Sequence, residues 1–599
     1  LKSLTDLFRV VIHQMGDLCH TSPTKDINTV LSRVESEGIS FLTITLPNFG
    51  KDFEKSLDQG FVTHDQFKGF AFTGGLPRLF GGFLELVFDR ASGVLREDYS
   101  IDAIVAVRQL TLMFGKVALE CAPQRTQAAI DGYLSCESEV KSSDKNQDDG
   151  FFEAFDRIST LLWANSFSEI DGNIYNGEVI PKHGPGATAD KLKGNRKFNQ
   201  IEWTTRLEEI FPAGENLFSS YHQYLDEYDM LTFREPGDEI PVRVITVPKT
   251  LKTPRIIAIE PTAMQYMQQG ILELFEKAIR ADDIARNLID YSSQIPNQDL
   301  ALKGSLDGTL ATLDLSEASD RVSNQHVRRL LRNHPHFARA VDATRSRKAD
   351  VPGHGIIRLA KFASMGSALC FPMEAAVFAT VIFVGIEKCL GRRISIRDIK
   401  SLIGRVRVYG DDIIVPVDYV SSVVDTLELF GFKVNRNKSF WTGKFRESCG
   451  KEYFDGHDVS VVRVRQLIPS QRAHTAEIIS TVSTANLFYK KGMWQISEYL
   501  YELIERIIPL PRVAETSPAL GRHSFLGYDT EKWDPNLHRP LVKGMVVKAK
   551  LPKSNLDGYG ALLKSFLKRS DLPFADRDHL LYAGRPVSVD IKYRWTPSY

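Results

Sequence analysis

The sequence predicts a mixed α+β protein in which helices flank an antiparallel sheet, and three stretches predict it. In residues 405–415, RVRVYGDDIIV, valines and isoleucines flank Gly410-Asp411-Asp412, which reads as two β-branched strands joined by a tight hairpin. Residues 311–320, ATLDLSEASD, begin as an apolar strand ending at Asp314 and turn into a polar, helix-starting segment that Ser316 or Ser319 could cap. Between them, the apolar run 375–386, bounded by Glu374 and Glu387, reads as a buried helix too short to cross a bilayer.

The hairpin sets the chemistry. Gly410 relieves the backbone at the bend, while the adjacent carboxylates of Asp411 and Asp412 repel each other. A lone Gly-Asp-Asp is as well explained by an ordinary solvated turn. The third carboxylate, Asp314 on an upstream strand, shifts the balance, because hard divalent cations take oxygen ligands of this kind. Two such ions about 4 Å apart activate an attacking hydroxyl and neutralise a leaving pyrophosphate. On these residues alone the pattern favours nucleotidyl transfer with two Mg²⁺ ions, or Mn²⁺ in their place.

Composition limits the class without choosing it. The 599 residues are 43% hydrophobic and 25% charged, ordinary for a soluble globular chain but too many for one core. Lys+Arg and Asp+Glu both number 75, a balance that counts mildly against a nucleic-acid protein unless its positive charge is confined to a channel. Cys19, Cys121, Cys136, Cys370, Cys389 and Cys449 form no CxxC pair, which indicates neither a disulfide framework nor a zinc site and suits a reducing cytoplasm. There is no signal-peptide pattern, and the leading leucine is consistent with a chain that lacks its natural start.

Taken in order, residues 1–180 alternate amphipathic segments with glycine-marked breaks; 103–121 has helical spacing, and 141–150 reads as an exposed polar loop. Residues 181–188, PKHGPGAT, followed by Lys191, Lys193, Arg196 and Lys197, are either a plain surface loop or a phosphate-holding one; they lack the P-loop ending. Residues 242–261 form two β-like segments around a turn carrying Lys249, Lys252 and Arg255, suited to an incoming triphosphate or to simple solvation. Ser364, Gly366 and Ser367 open the apolar helix, where small residues admit a nucleic-acid backbone and hydroxyls address a ribose, or merely cap the helix. Lys438 is a candidate general acid toward the leaving pyrophosphate. Residues 445–456 resemble another hairpin, whose Arg446 and Ser448 are candidates to support a primer strand. From 541 to 599 there are 11 Lys/Arg against 5 Asp/Glu, and with Tyr559, Tyr582, Tyr593 and Trp595 this tail meets RNA or forms a solvated face over buried aromatics.

Together VPKTLKTPRIIAIEP, GSLDGTLATLDLSEASD, FASMGS, VYGDDII, GFKVNRNKSF and FRESCGKEYFDGHDV resemble, in order and spacing, the replicase catalytic subunits of the single-stranded RNA bacteriophages of the levivirus group, over roughly residues 240–460. The resemblance implies an RNA-directed RNA polymerase with a right-hand fold of fingers, palm and thumb. It implies Asp314, Asp411 and Asp412 as catalytic metal ligands, and Lys249, Lys252 and Arg255 as triphosphate contacts. It leaves open whether Ser319 or Asp320 faces the ribose. The family's usual Met-Gly-Asn-Gly reads Met365-Gly366-Ser367-Ala368 here, and its downstream threonine is Cys370.

The same resemblance implies primer-independent initiation, template RNA and ribonucleoside triphosphates as substrates, and host elongation factors Tu and Ts and a ribosomal protein as partners. The expected place is the cytoplasm of an infected bacterium, with no membrane. The expected division is an N-terminal helical region bracing fingers and thumb (1–180), fingers (181–305), a palm with the catalytic motifs (306–465), and a thumb with the basic C-terminal region (466–599). Two other readings stand beside it: a non-catalytic RNA-binding scaffold, and a reverse transcriptase, which more often carries Ala or Met where Gly410 stands.

Overall fold

A computed structural model describes residues 2–551, 553–568 and 588–599. Its organising element is the helix Cys370–Leu390, apolar on all sides and buried over most of its length. It is longer than the apolar run suggested. By length and composition it could cross a membrane, but 83% of its most apolar window lies inside the protein, so it is a core helix. Gly385 lets helix Val420–Leu429 press against it, since a Cβ there would lie 2.8 Å from Val423 Cα. On another side Trp163, in helix Glu153–Tyr175, donates its indole N–H to Thr380 at 2.9 Å. Gly391, with φ +62°, stops the helix in the left-handed conformation that glycine adopts freely.

Beside this helix lies a four-stranded antiparallel sheet in the order Arg407–Tyr409, Asp412–Pro416, Leu310–Ser316, Lys433–Val434. The pleat sorts its side chains. Val408, Ala311, Leu313, Leu315, Ile413 and Val415 join the core that holds the helix, whereas Thr312, Asp314, Asp412 and Ile414 belong to the alternate set. Against that second face packs helix Ile295–Asp307 and the hairpin of Phe445–Ser448 with Lys451–Phe454. A second mixed sheet, ordered Arg255–Ile259, Val242–Val247, Lys348–Val351, Gly355–Arg358, carries the basic turn between its first two strands.

The N-terminal helices Lys2–Leu18, Thr24–Glu37, Leu46–Gln59 and Ile101–Leu112 do not close a core alone. They share one with Phe440, Phe445 and Phe454 and with helices Thr475–Lys490 and Trp494–Glu505, so the N-terminal region is packed against segments more than three hundred residues further along the chain. Several local expectations change. The helix expected over 103–121 is Ile101–Leu112, started by Ser100, whose hydroxyl accepts the Ala103 N–H. Helix Pro123–Lys145 takes half of the expected 141–150 loop, because Val140 is buried and the polar residues after it extend the same helix. Neither Ser316 nor Ser319 caps the helix after Asp314. Glu317 occupies the cap position with φ +54° and no side-chain cap, and Ser323 caps the next helix instead. At the C-terminus, Pro540–Lys550 and Ser588–Pro597 pair as an antiparallel ribbon, with Lys532 4.0 Å over Trp595 and Lys543 5.1 Å over Tyr593. Tyr559 donates to Asp226, whereas Tyr582 lies outside the described residues.

Candidate active site

The Gly-Asp-Asp turn joins Tyr409 to Asp412, which are directly paired. Gly410 takes φ +61°, and a Cβ there would meet the Phe371 ring at 2.5 Å, so both backbone and space require glycine. In the next strand pair Asp412 stands opposite Asp314. Residues directly opposite share a face, with Cβ atoms about 5 Å apart. The two carboxylates expected to cooperate are thus neighbours across one ladder, with Asp411 exposed at the adjoining turn.

Their electrostatics follow from this crowding. Burial, then the charges of Asp411 and Asp314, push the Asp412 carboxyl up to about 7, although the Cys449 N–H donates to it at 3.2 Å. Burial also raises Asp314, opposed by Lys438, whose ammonium stands 3.2 Å from Asp314 Oδ1. Asn435 donates to the other oxygen at 2.8 Å. Burial works against the Lys438 charge, but Asp314, Glu447 and Asp411 hold that ammonium above its ordinary range. Among the described residues no group of three or more His, Cys, Asp or Glu side chains is already arranged to hold a metal ion. The aspartates are instead an open set of hard oxygen donors, mutually repelling, with one carboxylate already neutralised by a lysine. That donor chemistry fits divalent magnesium or manganese.

Lys249, Lys252 and Arg255 lie on the exposed turn of the second sheet. Burial, Arg255 and Lys438 lower the Lys249 ammonium, while Asp411 and Asp314 raise it, so this turn lies within electrostatic reach of the aspartates. Strand Arg255–Ile259 is tied to the serine loop, since Ala258 N–H donates to Met365 C=O at 2.8 Å. Gly366, at φ +135°, makes that approach possible: a Cβ would fall 1.8 Å from Ala258 O.

The remaining candidates separate. Asp320 Oδ1 accepts from Ser364 at 2.8 Å and from the fully buried Lys361 at 3.2 Å. Ser319 instead bonds toward Cys370 and Glu374. The Ser367 hydroxyl bonds to Gln268 Oε1 at 3.2 Å, so it braces the loop. Arg446 is fully buried and donates to backbone carbonyls of Leu310, Gly443 and Phe445, so it cannot line a primer strand as expected; Ser448 is buried beside it. In the 181–197 loop, buried Lys197 donates to the carbonyls of Gly184 and Gly186, and His183 stacks on Tyr266 at 4.2 Å, its imidazole pushed down to about 3 by burial. That loop is internally braced, with Lys191, Lys193 and Arg196 left at its surface.

Sequence reasoning missed Asn435, Lys361 and Tyr133. Asn435 lies inside a quoted motif and was legible. Tyr133 comes from helix Pro123–Lys145, lies 3.6 Å beneath Lys361 Nζ and bonds to Ser364 at 3.2 Å, and no motif marks it.

Residues 235–479 match the RNA replicase, beta-chain family. The chain is 34% identical over 272 residues to the RNA-directed RNA polymerase subunit beta of Qbeta virus (strain MX1), covering 45% of this chain and 42% of that one. It is 35% identical over 329 residues to the RNA-directed RNA polymerase beta chain of Enterobacteria phage fr, covering 55% and 53%. The matched stretch therefore spans about half the length of these curated relatives or less. In structure the chain is similar to the RNA-dependent RNA polymerase from bacteriophage phi12, at TM-score 0.40 and 11% identity over 77% of this chain and 75% of that one. The matched segment contains Asp314, Asp411, Asp412, Lys438, the basic turn and the serine loop, and the resemblance carried by those motifs is borne out there.

Proposed function

We propose that the chain carries out RNA-directed RNA synthesis by two-metal-ion nucleotidyl transfer, starting new chains without a primer. The observation that carries the reading is the pairing of Asp412 with Asp314 beside the Gly-Asp-Asp turn, within electrostatic reach of a turn that carries three cations. Divalent ions held by Asp314, Asp411 and Asp412 would supply the positive charge that activates a ribose 3′-hydroxyl and neutralises the leaving pyrophosphate. Lys249, Lys252 and Arg255 grip the triphosphate of the incoming nucleotide. Asp320, held by Ser364 and Lys361, keeps one carboxylate oxygen for the ribose, so it rather than Ser319 takes the sugar-facing role. Gly366 and Ser367 shape the loop that supports it. Lys438 donates a proton to pyrophosphate once Asp314 releases it.

The reading assigns 181–305 to fingers, 306–465 to palm, and 466–599 to thumb and basic C-terminal region, with 1–180 bracing them. Template RNA and ribonucleoside triphosphates are the substrates. The relatives are named as beta subunits or chains. In keeping with that, we extend the proposal to host elongation factors Tu and Ts and a ribosomal protein as partners in the cytoplasm of an infected bacterium.

Asp411 is exposed, so Asp411→Asn preserves the fold. The expected result is loss of templated ribonucleotide incorporation with RNA affinity within about twofold. Full incorporation by the variant overturns the proposal; a wild-type protein that binds RNA but incorporates nothing favours a scaffold, and a preference for deoxyribonucleotides favours a reverse transcriptase.

A further inference from the structure

Helix Leu46–Gln59 belongs to the N-terminal core, yet one of its faces lies on the segment that follows Lys438. Lys55 Nζ stands 5.4 Å from the Trp441 ring centre, and Asp58 accepts the N–H groups of Thr442 and Gly443, each at 3.2 Å. Gly443 is so close that a Cβ there would lie 2.4 Å from Asp58 O. Positions 51, 55 and 58 follow the three-and-four spacing of one helix face, so Lys51 continues this contact one turn further toward the aspartates. There it comes within electrostatic reach of Lys252 and Lys438, whose charges both act on it.

Neither of the two acids whose charges act on Lys51 is free to balance it. Glu54 is bound to Arg108 at 2.7 Å. Glu447 is pushed up by burial and by Glu452 and Glu54, and the charge it carries also acts on Lys438. Among the described residues, Lys51, Lys249, Lys252 and Arg255 have no hydrogen-bonded or ion-paired side-chain partner. Four cations from two segments, one of them a single turn, therefore gather beside Asp314 and Asp411, instead of being strung out as the phosphates of an RNA strand would require. Such a cluster is self-repelling, and a compact polyanion relieves the repulsion.

We propose that Lys51 is a phosphate-binding residue that the N-terminal region contributes to the active site, acting with Lys249, Lys252 and Arg255 on the triphosphate of the incoming nucleotide. The inference rests on the polymerase reading for the identity of the ligand. It also gives the packing of the N-terminal helices on the catalytic segment a functional consequence.

The test uses the full chain, with inorganic tripolyphosphate as a calorimetric probe in magnesium buffer and templated incorporation as a second readout. Lys51→Met keeps the aliphatic stem and removes the charge; Lys51→Arg keeps the charge. The expected result is tripolyphosphate bound about tenfold more weakly by Lys51→Met, about 1.4 kcal/mol. KM for the nucleotide rises more than kcat falls, RNA affinity is unchanged, and Lys51→Arg restores most of the binding. Unchanged tripolyphosphate affinity in a folded Lys51→Met, or a loss confined to RNA affinity, overturns the inference. A wild-type protein that binds tripolyphosphate through Lys51 but polymerises nothing supports the site and sinks the polymerase reading instead.

Discussion

Lys361 is fully buried, and its charge is met by Asp320 at 3.2 Å, by Glu137 at 4.0 Å and by the Tyr133 ring. Burial opposes that charge, but Asp320 leads the groups that hold the ammonium above its ordinary range. Lys361→Met strands two carboxylates, and breaking a buried pair this way costs about 3 kcal/mol. Denaturant unfolding should show that loss, whereas Arg436→Ala, an exposed pair with Glu428, should stay within about 0.5 kcal/mol. Variants that still fold should also discriminate less well between ribo- and deoxyribonucleotides, because Asp320 is no longer held. Little of this was legible in the sequence. Asp314, Asp411 and Asp412 could be read because strand ends and a glycine turn announce them locally. Lys361 looks like any lysine until the fold brings Glu137 and Tyr133 to it, and Lys51 sits in a region without motifs.

At the scale of elements, turn chemistry and β-branched runs predicted the hairpin at 410 and the strand pair around 249–255, since both are decided by neighbours in sequence. The serine loop was not so decided. Gly366 is required by Ala258, more than a hundred residues away along the chain. Gly366→Ala should force the loop off strand Arg255–Ile259 and break the Met365–Ala258 hydrogen bond. The thermal midpoint should fall by several degrees, as expected for a strained substitution against backbone. Gly132 is the contrast: mid-helix in Pro123–Lys145, with nothing within 4 Å of an added Cβ. Gly132→Ala should therefore raise the midpoint slightly, by the equivalent of about 0.5–1 kcal/mol. The helix boundaries that shifted, at 101–112 and 123–145, shifted because burial of Val140 and the Ser100 cap outweighed local polarity.

For the molecule as a whole, the two largest cores are laced together by a chain whose N-terminal helices pack against helices Thr475–Lys490 and Trp494–Glu505, which no single segment of the sequence reveals. Buried acids add a pH dependence. Burial pushes Asp26 up to about 6 and Glu260 up to about 7, so the folded protein retains protons that the unfolded chain releases nearer pH 4. Their contribution to stability is complete below about pH 4 and is lost as pH rises through about 6 and 7. The thermal midpoint contribution from these groups should therefore fall between about pH 4 and 7, and Glu260→Gln should make that fall smaller. The central claim, that Asp314, Asp411 and Asp412 form one divalent-cation site, is tested most directly by Mn²⁺ binding followed by electron paramagnetic resonance on folded protein. The account predicts a wild-type Mn²⁺ population that disappears or weakens at least tenfold in Asp411→Asn and in Asp412→Asn, about 1.4 kcal/mol or more; Mn²⁺ binding of unchanged stoichiometry and affinity in both variants would contradict it.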